Sequence, residues 1–155
     1  MDSYVERPDI QVLRVLADMK GGGPAEAMQK LESKLNSIKG RKFYGVFRVL
    51  PASEEYFACV EKIAADDPVA MRLDEGRVPG GLYIRRKVFD WSKVIAEGKL
   101  PSVSQDMVRH YDVDRTRPEI EYYRSMTELH ILIPVQSRNP IPLAWGVSNP
   151  RPDLF

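Results

Sequence analysis

Cysteine is almost absent. Cys59 is the only one in 155 residues, so neither an intrachain disulfide nor a CxxC metal or redox pair can form. Histidine is nearly as scarce. With only His110 and His130, a His-rich zinc site is not expected, and a Ser-His-Asp triad would have to recruit one of these two. Neither lies near a GxSxG elbow, which the chain lacks. No sign of charge dominates either. The 23 Lys and Arg against 22 Asp and Glu leave a formal net charge of +1, which gives no broad footprint for nucleic acid or an anionic membrane. The basic run Arg85-Arg86-Lys87 has Asp90 close behind it and reads as a solvated or strand-edge feature rather than a phosphate site. The opening MDSYVERPDI has no apolar core of a signal peptide, and no stretch approaches 18 apolar residues. The expectation is a cytoplasmic protein with no metal, no cofactor, no membrane and no direct nucleic-acid contact.

What the chain does have is the balance of one soluble domain: 43% hydrophobic and 29% charged residues. Ile10 to Leu16 reads as a strand apolar on both faces. Gly21-Gly22-Gly23 breaks it, and Pro24 suits the first position of a helix. Met28, Leu31, Leu35 and Ile38 form a helical stripe, with Gly40 as its closing residue. The three glycines invite a phosphate-loop reading, but the Lys-Ser/Thr of a P-loop is missing. Strands at 42–50 and 55–63 follow, rich in aromatic and β-branched residues and joined by a turn at Pro51-Ala52-Ser53. Residues 64–78 look like a connector.

The second half then runs in the same order. A strand at 81–89 precedes helix-start signals at Pro101, Ser102 and Ser104, with Val103, Met107, Val108 and Tyr111 as the apolar stripe. Strands at 119–125 and 128–135 flank a turn at Met126-Thr127. Both halves, about 6–63 and 78–135, read strand, helix, strand, strand. Overlaying them sets residues 43–48 on 119–124, so that Gly45 falls on Glu121. The expected fold class is α+β, a duplicated βαββ with pseudo-twofold symmetry. Beyond Val135 the tail, 136–155, carries Pro140, Pro142, Pro150 and Pro152, a density that excludes a regular central strand or helix. It could pack back through Ile141, Leu143 and Trp145, or cover a neighbouring subunit.

Four strings, in order, then carry a resemblance. They are Arg7-Pro8-Asp9-Ile10-Gln11-Val12, Glu55-Tyr56-Phe57-Ala58-Cys59-Val60, Val78-Pro79-Gly80-Gly81-Leu82-Tyr83 and Ile131-Leu132-Ile133-Pro134-Val135. Together they resemble the GyrI-like family, small-molecule-binding domains also found as effector-binding modules of AraC-type and MerR-type regulators. The resemblance spans residues 6–135. It departs at Phe57, where the family often has Asp, and at Glu55, where Arg is common. No helix-turn-helix precedes the domain, which makes a stand-alone version the expectation. The resemblance implies a SOUL-like pair of βαββ halves whose antiparallel sheet forms a concave ligand cleft, with helices on the other face. It also implies an acidic residue on the strand at 119–125.

That residue is Glu121, which shares a strand face with Tyr123 because side chains alternate with period two. Phe47 is expected to approach from the other half, Gly45 to leave space for a ligand, and Tyr56, Tyr83 and Trp91 to form walls. A carboxylate in an apolar cleft is costly alone, and a cation offsets that cost. Aromatic faces add cation–π attraction of roughly 0.5–2 kcal/mol each with little shape specificity. The expected partner is therefore a lipophilic, aromatic or cationic small molecule, taken up for drug or toxin sequestration or sensing.

Three alternatives stay open. Glu121 could be a solvated strand residue and Tyr123 core filler. Relatives that open cyclopropane rings in genotoxic compounds imply a hydrolase, with Glu121 as general base and Tyr123 or Tyr83 as the donor to the leaving oxygen. A protein-interaction role such as gyrase inhibition would look to Trp145 and Phe155 in the tail. Monomer and homodimer are both compatible with the sequence. Cys59 reads as a buried strand residue, His110 as a favourable charge late in a helix, and His130 as facing either the cleft or solvent.

Overall fold

The computed structural model describes residues 1–140, with side chains through Arg138. In chain order the strands and helices are β1 (Ser3–Arg7), β2 (Ile10–Leu16), α1 (Gly23–Ser33), β3 (Phe43–Val49), β4 (Glu54–Glu61), α2 (Pro68–Met71), β5 (Asp74–Val78), β6 (Gly81–Phe89), α3 (Trp91–Ala96), α4 (Leu100–His110), β7 (Tyr111–Val113), β8 (Glu119–Tyr123) and β9 (Glu128–Pro140). The class is α+β. Helix α1 starts at Gly23-Pro24 and buries Ala27 and Leu31, one turn apart. It stops at Ser33 rather than reaching Ile38, which is exposed. Asn36-Ser37 explains the early end, since such side chains compete with the helix for backbone hydrogen bonds.

All strand pairs are antiparallel, in the order β1-β6-β9-β8-β3-β4-β2-β5, with β7 added against β9. Two short connections force this sheet to curl. Pro8-Asp9 joins β1 to β2, and Pro79-Gly80 joins β5 to β6, yet each pair sits at opposite ends of the strand order. Six strand spacings on a flat sheet would separate β1 from β2 by about 29 Å, whereas three residue steps reach at most about 11 Å. The edges must therefore approach each other. The two connections are themselves tied, because Gly80 N donates to Asp9 Oδ1 at 2.6 Å.

The curl gives the sheet an inside and an outside. Ile10, Val12, Tyr44, Cys59, Val78, Tyr83, Ile120 and Leu132 fill the inside. Outside, α1 covers Leu13, Ala58 and Val60, while α4 lays Met107 over Ile84, Leu129 and Ile131. This is why Ile10 to Leu16 is apolar on both faces: alternate residues enter two different cores.

The expected placement of helices on the face away from Glu121 is corrected here. The inside of the curl is already filled by Tyr44, Tyr83 and aliphatic side chains, so helices pack only outside. Alternation along β8 sends Ile120 inward and therefore Glu121 outward, to the helix side. Three other expectations shift. Residues 64–78 carry α2 and β5, and 91–96 form a helix. Strand β9 does not end at Val135 but runs on to Pro140, paired with β7 through Val113↔Val135 and Tyr111↔Pro140; at the end of the strand a proline costs little. Ile141, Pro142, Leu143, Trp145, Pro150, Pro152 and Phe155 lie outside the described residues.

Arg117 fastens the meeting edges. Its guanidinium donates to Gly80 O at 3.3 Å, Leu82 O at 3.0 Å and Val135 O at 3.1 Å, pairs with Asp114 at 2.9 Å, and lies 4.8 Å from the centre of the Tyr83 ring. Arg117→Ala removes this donor from three carbonyls and the ion pair from Asp114, which keeps its hydrogen bonds from Thr116, and should cost about 2–4 kcal/mol in urea denaturation. Arg117→Lys keeps the charge but not the fork, and should recover less than half of that loss. A wild-type midpoint for Arg117→Ala would remove this role.

Candidate functional site

Strands β3 and β8 meet at the centre of the sheet, with Gly45 opposite Glu121, Phe47 opposite Glu119 and Phe43 opposite Tyr123. On the other side of β3, Phe47 pairs with Tyr56 of β4. Strand alternation thus brings Phe47, Tyr56, Glu119, Glu121 and Tyr123 to one outer face, between the core under α1 and the core under α4.

Glu121 is the centre of this group. Tyr56 Oη donates to its Oε1 at 2.8 Å, and Tyr123 Oη donates to the same oxygen at 2.9 Å. Among the described residues no protein donor reaches Oε2, and no Lys, Arg or His forms an ion pair with this carboxylate. Burial pushes its proton affinity above the usual carboxylate range, and the two hydroxyls only partly counter that. Tyr56, 4% exposed, is held well above the ordinary phenol range by burial and by the adjacent carboxylate. Tyr123 is raised for the same two reasons. Both hydroxyls therefore stay protonated and act as donors.

Gly45 makes the arrangement possible. A Cβ at this position would lie 2.5 Å from Glu121 Oε1 and 2.6 Å from Tyr56 Cζ. The space expected to admit a ligand is occupied by the Tyr56–Glu121 hydrogen bond itself. The glycine permits a close approach of side chains across β3.

Trp91 joins the site through Tyr123. Its ring lies 5.0 Å from that ring at 71°, an edge-to-face contact, while its Nε1 donates to Ser125 O at 3.0 Å. Tyr83 does not join it. It faces the inside of the curl, 1% exposed, and its hydroxyl donates to Pro79 O. That hydroxyl is committed to backbone on the other side of the sheet. Glu119 was not singled out from the sequence, although the alternation that places Glu121 places Glu119 as well. It is half-buried, with its proton affinity raised by burial and then by the Glu121 charge. A surface cavity of about 540 Å³ lies elsewhere, lined by Lys34, Lys39, Arg41, Asp66 and Met71 among others, and none of the Glu121 group borders it. Among the described residues no three His, Cys, Asp or Glu side chains cluster as a metal site would require, and no helix is long and apolar enough to cross a membrane.

No family model matches the chain, and no curated protein matches it in sequence. Solved structures do match in shape. An integron cassette protein from Vibrio cholerae, VCH_CASS2, superposes with a TM-score of 0.61 over 87% of this chain and 95% of its own, at 16% identity. SAV2435, solved bound to tetraphenylphosphonium, superposes at 0.55 over 96% and 99%, at 9% identity. The chain shares its fold with these proteins. A protein described as a hydrolase from Listeria innocua superposes at 0.52 over 86% and 90%, at 11% identity. The same curled-sheet architecture thus includes a protein seen with a bound organic cation and one named as an enzyme.

Proposed function

We propose that this chain is a GyrI-like domain that binds lipophilic, positively charged compounds at Glu121, for sequestration or sensing. The single observation that carries the reading is the state of that carboxylate. It is half-buried, fixed by two tyrosine hydroxyls on one oxygen, and left without a cation partner among the described residues. A buried ionised group without a counter-charge is unfavourable, and a cation arriving at Oε2 offsets that cost. Trp91, Tyr123 and Phe47 offer the aromatic faces that attract such a cation. The tetraphenylphosphonium held by SAV2435 is a compound of this kind. We read β6-β9-β8 and β3-β4-β2 as the two halves of a duplicated domain, with the twofold passing between Gly45 and Glu121.

Hydrolysis is the second reading, favoured by the pairing of Glu121 with Tyr123 and by the Listeria innocua hydrolase. Oε2 is free to take a proton from water, as a general base must. Both hydroxyls are engaged on Oε1, however, so polarising a leaving oxygen requires one of them to let go. That requirement places binding first.

Calorimetric titration with tetraphenylphosphonium tests the first reading, with cyclopropane-containing electrophiles incubated in parallel and weighed by mass spectrometry. Saturable binding with every compound recovered unchanged is the expected result. A compound that gains the mass of water identifies a hydrolase. No binding and no turnover would refute both.

A further inference from the structure

Glu119 lies beside Glu121 on the same face of β8, with one inward-facing residue, Ile120, between them. Residues two apart on a strand are separated by about 6.7 Å. Neither carboxylate has a cation within ion-pair distance among the described residues, and Glu119 has no hydrogen bond there either. Among the described residues, Arg115 is the one cation whose charge bears on it, from beyond ion-pair distance. Two half-buried like charges at this spacing oppose each other. A single positive charge at Glu121 would leave Glu119 uncompensated. Phe47 stands directly across from Glu119 on β3, so an aromatic side chain flanks the Glu119 end of the pair on the same face.

We propose that the preferred ligand is a dication: two positively charged nitrogens about 7 Å apart on a flat apolar spacer, one paired with Glu121 and the other with Glu119. The inference rests on the reading of Glu121 as a cation site and narrows it to a ligand class. Glu119 supplies the second charge and Phe47 the face against which the spacer lies. Monocations still bind through Glu121, but more weakly.

The test is a matched pair of probes. 1,4-Bis(aminomethyl)benzene and 4-methylbenzylamine share one ring and differ in a second ammonium. Calorimetry at pH 8 should find the diamine at least about tenfold tighter on the wild type. Glu119→Gln should bring the two to within about twofold by weakening the diamine alone. Glu119→Ala, checked for folding by circular dichroism, should do the same. A wild-type ratio near one overturns the dication inference, as does a Glu119→Gln that weakens both probes in equal proportion. If 4-methylbenzylamine and tetraphenylphosphonium still bind and depend on Glu121, only this inference falls. If neither monocation binds, the cation site itself falls with it.

Discussion

Glu121→Gln should weaken cation binding on the order of 30- to 150-fold, the equivalent of about 2–3 kcal/mol for truncating one partner of a buried charge pair, and should stabilise the empty protein. The two effects have one origin. Burial raises the proton affinity of Glu121 in the folded state above its ordinary value of 4.5. A carboxyl shifted in that direction favours folding most strongly at pH values below its unfolded pKa. Its contribution is lost as pH rises through the folded value. Wild-type stability should therefore decline above about pH 4.5 relative to a variant with no proton to lose. Gln keeps an oxygen to accept both tyrosine hydroxyls, so at pH 8 the variant should be the more stable of the two. Thermal unfolding between pH 4 and pH 8 checks the sign. Parallel pH profiles would mean that Glu121 is solvated, and that the cation has no electrostatic debt to relieve. Binding should follow the opposite trend, strengthening with pH as the carboxylate ionises.

Gly45→Ala should be the most damaging single methyl in the sheet. The added Cβ meets Glu121 Oε1 at 2.5 Å and Tyr56 Cζ at 2.6 Å, so the Tyr56–Glu121 hydrogen bond must shift to admit it. Tyr56 is buried beneath α1, and Glu121 is held from two sides. Strand β3 is central, flanked by β4 and β8, so its backbone cannot swing away either. Overpacking typically costs about 1–3 kcal/mol, and the displaced Tyr56 hydroxyl adds about 1–3 kcal/mol if it finds no acceptor. For a domain of this size that is a fall in melting temperature of about 5–15 °C. Tetraphenylphosphonium affinity should fall about tenfold in the same variant, because the carboxylate loses one of the two hydroxyls that aim it. Wild-type melting together with wild-type affinity would show that Tyr56 and Glu121 do not depend on this glycine.

The pattern of strands was legible because most of them announce themselves locally. Residues 43–49 and 54–61 alternate or run apolar with aromatic and β-branched side chains, and Pro24 with Met28 and Leu31 marks a helix without help from elsewhere. The direction of the curl was not legible. Period-two alternation shows that Ile120 and Glu121 face opposite ways, but which way is inside depends on the pairing of distant strands and on the two-residue connections at Pro8-Asp9 and Pro79-Gly80. That is why Tyr56 and Tyr83, two buried strand tyrosines, could not be told apart: the first donates to Glu121 and the second to Pro79 on the other side. Helix α3 left little local trace. It has six residues and starts after Asp90 in the left-handed region, φ 51°, without a side-chain cap. Gly45 read as space for a ligand, but what fills that space, the Tyr56–Glu121 hydrogen bond, is fixed by strand register rather than by its own neighbours.

A crystal structure with tetraphenylphosphonium bound tests the central claim most directly. The account predicts the phosphonium centre on the outer face of the sheet, nearest Glu121 Oε2, with aryl rings against Tyr123, Trp91 and Phe47. Density for the cation in the cavity lined by Arg41 and Asp66, or inside the curl against Tyr83, would contradict it.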